Sequence, residues 1–584
     1  MIGKIASIKN SIIYVSLSVN IYTIDNLINK NIIFDNRYIG EVIGASGNFL
    51  EVSLQGEIIN GVYVNGSLSV PKFSSECRLI TKEELDIIYS VNKNGNNIKI
   101  GKSYIYRDYD IFINIDKFFS SHFAIFGNSG SGKSYFITKL LQGIFYEAKR
   151  LPYNSNIFLF DAYGEYQKAF NNISQVNPNL NYRVFTTNLK DRDTPQLFIP
   201  FWFLGVDDIC LLLDVTDARQ IPIIEKALKL VAFFSTEDDK ILDKKNDIIA
   251  RSILDVILSG GNCYEIRNKI ISILSKFNTK NINLEIELTK GGWTRSIRQC
   301  LNIENNVKFA DIEVVISYLE QFCIDDFELS LPDGSYMYSI KDFYNSLEFA
   351  LISEGIFSSN SVVEYANILK IRLNSLINSD YVNYFNCERY MNRFDYIRYL
   401  IYDVNKNKKY QIVNFNINYV DDRFAKVIVK IYSKMLFDFI VTLPNRASMP
   451  FHIILEEAHR YIQNDSDSRI IGYNIFERIA KEGRKYGILL GVISQRPSEL
   501  SGTMISQCSN FAIFKIFNEE DIKFVRNTIP YINSNMIEKI KMLSSGNCMM
   551  FGTALNKPIL VTVDMPNPTP YSDSCNIDNT WYVK

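Results

Sequence analysis

The stretch His122–Phe145, HFAIFGNSGSGKSYFITKLLQGIF, decides how the chain folds. Its apolar run His122–Phe126 has the character of a buried strand, and the apolar spacing over Tyr135–Phe145 is that of a helix. Between them, Gly127, Asn128, Ser129, Gly130, Ser131, Gly132, Lys133 and Ser134 fit G-x-x-x-x-G-K-[ST]. Glycines let successive backbone N–H groups face phosphates, and the N-terminus of the following helix favours their negative charge. Lys133 is placed to reach the β- and γ-phosphates and the Ser134 hydroxyl to ligate Mg²⁺, with Tyr135 next along the binding segment. ATP and Mg²⁺ are the cofactors implied. A flexible Gly/Ser turn with a surface lysine would need neither the strand before it nor the helix after it.

Working outward, a second apolar run, Asn156–Phe160, ends in Asp161, and two more buried-type strands lie at Phe451–Leu455 and Ile488–Ile493. Runs without alternation suggest a parallel sheet covered on both faces, hence an α/β fold. The segment FHIILEEAH places adjacent carboxylates at the end of a strand: Glu456 to hold the Mg²⁺ shell and Glu457 to orient or deprotonate the attacking water. In LFDAYGEY, Asp161 or Glu165 would sit over that water or the metal, or else Asp161 caps the next helix. Arg469–Tyr486 reads as an amphipathic helix. Near its end, Arg484 would act as an arginine finger in a neighbouring subunit's site or complement the helix C-terminal dipole. Gln495, after the strand Ile488–Ile493, stands where a γ-phosphate sensor would. From Arg478 to Arg496 five basic residues face one acid, marking a subunit interface or a nucleic-acid path. His122, His452 and His459 lack metal-site spacing and read as structural, with His459 close to the acid pair.

The remaining chain frames this core. Of 584 residues, 47% are hydrophobic and 22% charged, a globular composition, and 63 basic against 64 acidic residues leave a net charge of −1. A phosphate-rich partner would therefore have to meet a local basic surface. Residues 1–90 come in short β-rich runs (Ile12–Leu17, Tyr38–Ile43, Phe49–Leu54) and suggest a small β-barrel for assembly or partner docking. With seven basic and nine acidic residues it is ill suited to grip DNA. A linker near Asn92–Asn97 leads into residues 91–202, the first part of the core. Residues 203–400 read as a largely helical insertion, with helices near Asp214–Phe234, Lys245–Ile257, Asp311–Phe322 and Ser361–Leu376. Residues 401–563 complete the core, and 564–584, with MPNPTP, form an extended tail that would wrap something, such as a neighbouring subunit. Nine scattered cysteines suggest buried thiols rather than disulfides or zinc sites. The absence of a long apolar run points away from a membrane span and a signal peptide and towards the cytoplasm.

Taken in order, IGKSYIYRDYDIFINIDKFFSSHFAIFGNSGSGKS, LFDAYGEY, IILEEAH, IAKEGRKYGILLGVISQRPSEL and LSSGNCMMFG resemble the HerA-type ATPases of the HerA/FtsK branch of P-loop motors. GKIASIKN and YIGEVIGASGNFLEVSL are similar to that family's N-terminal barrel, and the insertion matches least. The resemblance implies a RecA-like core and a homohexameric ring that hydrolyses ATP at subunit interfaces and moves double-stranded DNA through its channel. By motif position it supports Lys133, Ser134, Asp161, Glu457, Arg484 and Gln495 as functional, while Glu456 replaces the family's commonest acid. It also implies a separate effector, a NurA-type nuclease in DNA end processing or a sirtuin-like NAD hydrolase in antiviral defence. The alternative is an ATP-binding scaffold ring that assembles and regulates an effector without translocation.

Overall fold

A computed structural model describes residues 2–9, 12–18, 27–67, 69–89, 96–147, 150–236, 239–304, 308–324, 336–354, 360–463, 472–530, 532–571, 577 and 581. The linker expected near Asn92 therefore lies mostly outside the described residues, as does the start of the helix expected from Arg469.

The N-terminal strands run Gly3–Lys9, Ile12–Leu17, Asn31–Phe34, Tyr38–Ser46, Phe49–Ile59, Val62–Asn65 and Glu76–Leu79. All neighbours are antiparallel, and Ile12–Leu17 pairs with both Gly3–Lys9 and Phe49–Ile59. That double pairing closes six of the strands into a barrel, with Val62–Asn65 added at the edge of Phe49–Ile59. Closure follows from the sequence: alternate residues such as Ile13, Val15, Val42, Leu50 and Val52 turn inward and are at most 1% exposed.

The second sheet has eleven strands. Seven are parallel, in the order Tyr182–Thr186, Ile412–Asn416, Ile157–Asp161, Phe451–Leu455, Ile488–Ser494, Phe123–Phe126 and Asn510–Ile513. Four antiparallel strands, Asn547–Gly552, Ile559–Val563, Asn97–Ser103 and Asp110–Asn114, extend it. The fold is thus α/β with a RecA-like, mainly parallel core and an N-terminal β-barrel, as expected. The apolar runs are central because they can be buried on both faces: Phe123, Ala124, Ile125 and Phe126 are at most 1% exposed. Every parallel strand ends on the same side, so the segments after Phe126, Asp161, Leu455 and Ser494 meet along one edge.

Compact packing divides the chain into two units, residues 1–195, 397–464 and 475–584 in one, 196–396 and 465–474 in the other. The barrel and the sheet share the first unit. The second is largely helical, with helices Ile221–Ser235, Asp239–Leu258, Cys263–Lys276, Ile312–Glu320, Ile340–Glu354 and Asn360–Ile377. Phe234, Phe277 and Phe349 meet in its core at centroid distances of 4.4–6.0 Å. The helix expected from Asp214 starts only at Ile221, because Pro222 fits only in a first turn and Asp214 is left-handed at φ 51°.

The helix expected to run to Tyr486 forms from Ile475 onward, with a π turn inside it. Its described part is α-helical over Ile475–Arg478, π-wound over Ile479–Gly483 and helical again over Arg484–Tyr486. At Gly483 a Cβ would stand 2.5 Å from Ile488 O, so only glycine lets this turn pack against the start of the next strand. The extended tail lies on its own chain as far as Tyr571. Asn567 N donates to Gln142 Oε1 at 2.8 Å, and Gln142 Nε2 donates to Pro568 O at 2.8 Å. Among the described residues no helix is long and apolar enough to cross a membrane.

Candidate active site

The phosphate loop leaves the strand Phe123–Phe126 and enters the helix Lys133–Phe145, which is buried on almost every face. Gly127, Gly130 and Gly132 take φ of 155°, 70° and 114°. At Gly127 a Cβ would meet Phe514 Cβ at 2.5 Å and Ser131 Oγ at 2.7 Å, so any side chain there would lift the loop from the sheet. The loop is tied down from outside: Asn128 N donates to Lys515 O at 3.0 Å, Gly546 N to Ser131 O at 2.9 Å and Ser545 Oγ to Gly130 O at 2.7 Å. These restraints leave its backbone preorganised for an anion.

Lys133 is 8% exposed, and its Nζ donates to Asn128 O at 3.0 Å. Burial lowers its pKa, opposed by the nearby Glu457, Glu456 and Glu165. The ammonium therefore faces three carboxyl groups drawn from two strand ends.

These acids divide by what already holds them. Asp161 is fully buried; its Oδ1 accepts from Gly164 N (2.7 Å) and Glu165 N (3.0 Å), its Oδ2 from Tyr166 N (3.1 Å) and Asn414 Nδ2 (3.0 Å). It shapes the turn that carries Glu165. Glu456 is 3% exposed, with Oε2 accepting from Ala162 N at 3.1 Å and Oε1 from the Tyr166 hydroxyl at 3.0 Å. Burial, reinforced by Asp161 and Glu165, holds its carboxyl well above the usual carboxylate range. Both its oxygens are occupied by the turn rather than turned to the phosphate loop.

Glu165 and Glu457 are different. Each has a buried Oε2 without a hydrogen-bond partner. Glu165 lies in hydrogen-bonding reach of the Ser134 side chain, and burial is the main cause raising its pKa. Its carbonyl accepts from Tyr571 N of the tail at 2.8 Å. Glu457 adopts left-handed φ 47°, ψ 47°, a strained conformation for a non-glycine residue. Burial raises its pKa too, opposed by Lys133 and by the Gln495 backbone N–H. His459 Nδ1 stands 3.3 Å from Glu457 Oε2 and 3.3 Å from Ser494 Oγ. Burial lowers the imidazole pKa and so disfavours the charged form of the ring beside Glu457.

The donor set suits Mg²⁺. Ser134, Glu165 and Glu457 offer hard oxygens, two of them unpartnered. Among the described residues no three His, Cys, Asp or Glu side chains are arranged to hold a metal alone. That fits an ion held by one or two protein oxygens together with phosphate oxygens and water. When bound, Mg²⁺ would neutralise charge on the phosphates.

Seven of the expected residues thus gather at one edge: Lys133, Ser134, Asp161, Glu165, Glu456, Glu457 and Gln495, the last half-buried. Arg484 does not join them. It is exposed and precedes the strand Ile488–Ser494, whose far end carries Gln495, so about 20 Å of strand separates it from its own phosphate loop.

The sequence of this chain is similar to known proteins. A family model described as "Helicase HerA, central domain" matches residues 98–327. A "Probable DNA double-strand break repair helicase HerA" of Methanocaldococcus jannaschii is 24% identical over 566 residues, covering 94% of this chain and 90% of the relative. The chain is a P-loop ATPase whose sequence is similar to HerA helicases over nearly its whole length. A "DNA double-strand break repair helicase HerA" of Pyrococcus furiosus is 34% identical to this chain over 114 residues, 20% of each. Among solved structures, VirB4 of Thermoanaerobacter pseudethanolicus is 10% identical with a TM-score of 0.44, covering 82% of this chain and 99% of that one.

Sequence reading of the HerA-type motifs left several supports unassigned. Tyr166 and Asn414 hold the acid turn, and Ser545 with Gly546 brace the phosphate loop. LSSGNCMMFG was visible as a motif, but its neighbour in space is 415 residues away.

The occupied oxygens of Glu456 make a prediction. Glu456→Gln should fold with near-parental Tm and keep ATPase activity within about tenfold, since an amide can still bond Ala162 and the turn. Glu456→Ala strands the buried Ala162 N–H and Tyr166 hydroxyl and should cost about 1–3 kcal/mol of stability. Thermal melts and ATPase assays of both variants check this; an inactive but fully stable Glu456→Gln would place Glu456 in the chemistry instead.

Proposed function

We propose that the chain is an ATP-driven motor on double-stranded DNA that works as a homohexameric ring. The observation that carries this reading is the 94% coverage by a relative named as a DNA repair helicase, joined to a phosphate loop facing two unpartnered acids. ATP is held by the 127–134 loop, with Tyr135 beside it, Lys133 on the β- and γ-phosphates, and Ser134 and Glu165 on the Mg²⁺ side. Glu457 orients and deprotonates the attacking water, and Gln495 senses the γ-phosphate from the neighbouring strand end. Asp161 and Glu456 position the acid turn. Arg484 reaches the site of the adjacent subunit.

A separate effector protein completes the reading: a NurA-like nuclease if the pathway is DNA end processing, or a sirtuin-like NAD hydrolase if it is antiviral defence. The barrel, with its slight acidic excess, is the docking face. A cytoplasmic setting accords with these partners.

The test is ATP-dependent displacement of a triplex-forming strand from duplex DNA by purified protein, with Lys133→Ala as control. The parent chain should displace the strand and hydrolyse ATP, and Lys133→Ala should do neither. ATP hydrolysis without displacement, together with partner activity that survives in Glu457→Gln, would select the scaffold reading.

A further inference from the structure

A cavity of about 840 Å³ opens at the end of the sheet away from the phosphate loop. His122 and Ser509, ahead of the strands Phe123–Phe126 and Asn510–Ile513, form its floor, and Asn31 and Glu41 of the barrel form part of its roof. Its volume falls in the range of about 300–1,000 Å³ usual for small-molecule sites.

The lining has a strong charge bias. Among the described lining residues, Lys481, Arg484, Lys485, Lys539 and Lys557 contribute five cations, and Glu41 is the one carboxylate. Glu41 is already spent in an ion pair with Lys539. Lys557 is 5% exposed, and its ammonium lies 5.7 Å from the centroid of the Tyr89 ring. Burial pushes the Lys557 ammonium down to about 8, with Glu41 raising it and Lys539 lowering it. A buried ammonium is costly unless paired, and among the described lining residues no further carboxylate remains to pair it. Apolar surface adjoins this charge: Phe511 and Phe551, both lining residues, stack at 5.3 Å with an interplanar angle of 18°.

We propose that this cavity is a second ligand site, for a phosphate-bearing, ring-containing small molecule of mononucleotide size, with Lys557 as the buried partner of its anion. The exposed Lys485 draws the phosphate in, and the aromatic wall and Tyr89 receive the ring. Because barrel and sheet residues both line the cavity, an occupant bridges them.

Equilibrium dialysis of the full chain with ADP and Mg²⁺ tests this. The parent should bind two ADP per chain, Lys133→Ala one, Lys557→Met one and the double variant none. In Lys133→Ala, inorganic pyrophosphate should compete at least about tenfold more weakly than ADP itself, because it lacks the ring. Lys485→Glu, at an exposed position that leaves folding intact, should weaken the second site about tenfold or more and spare the first. The proposal is overturned by one ADP per parent chain with none in Lys133→Ala, or by a second site indifferent to both lysine variants. Displacement of ADP from Lys133→Ala by a short DNA duplex would equally overturn it, assigning the cavity to nucleic acid.

Discussion

Glu457→Gln is expected to bind ATP as tightly as the parent chain and to hydrolyse it at least about 100-fold more slowly, the usual contribution of a positioned general base. The amide keeps the size and can still accept from the nearby Gln495 N–H but cannot take a proton from water. Four features single out this acid: burial to 8% exposure, an unpartnered Oε2, the left-handed backbone, and Lys133 facing it. The strain at φ 47° aims a side chain that an ordinary strand end would direct elsewhere. The pH dependence follows from the same burial. Glu457 is raised above its ordinary value of 4.5, and the working form is the deprotonated one. Hydrolysis should therefore fall as pH drops through a value above 4.5, while residual Glu457→Gln activity shows no such limb from this residue. Steady-state ATPase profiles with parallel nucleotide-binding measurements decide the matter. Hydrolysis within tenfold of the parent, or an unchanged acid limb, would remove Glu457 from the base role.

Much of this site is legible in the amino-acid sequence. The phosphate loop carries its own punctuation, since strand, glycines, lysine and helix are contiguous and local sterics dictate their order. The four strand ends were legible too, because doubly buried strands must be uniformly apolar. What the residues could not reveal is which oxygens are already taken. Glu456 and Glu457 are chemically identical neighbours; only the approach of Ala162 N and the Tyr166 hydroxyl, from nearly 300 residues away, separates an acid with both oxygens bonded from one with an unpartnered Oε2. Asp161 had two readings, helix cap or catalytic acid, and its four donors place it as the holder of a turn. The π turn within the helix that ends at Tyr486 is illegible for a similar reason. Its apolar spacing is helical, and Gly483, where a Cβ would stand 2.5 Å from Ile488 O, is the last residue of the π turn.

Arg484→Ala should retain ATP binding and lose about 10³-fold or more in hydrolysis, the scale of an arginine finger. The argument rests on topology. Arg484 enters the strand Ile488–Ser494 from one end of the sheet, whereas the phosphate loop, Glu457 and Gln495 stand at the other. About 20 Å of strand is beyond the reach of any side chain, so an arginine acting on phosphate from this position must act on a neighbour's. In a ring each subunit presents both ends, one to each side, and a heterologous interface would join Arg484 of one to the loop of the next. Mixing gives a discriminating measurement. Arg484→Ala subunits keep an intact loop and Lys133→Ala subunits keep an intact finger, so an equal random mixture restores both parts at about a quarter of interfaces. Recovered ATPase well above either variant alone is the expected result. Mixed rings as inactive as their parents would leave Arg484 without a role in trans. The loss in Arg484→Ala alone would then have to arise within the subunit, through the basic cavity wall that this side chain shares with Lys481 and Lys485.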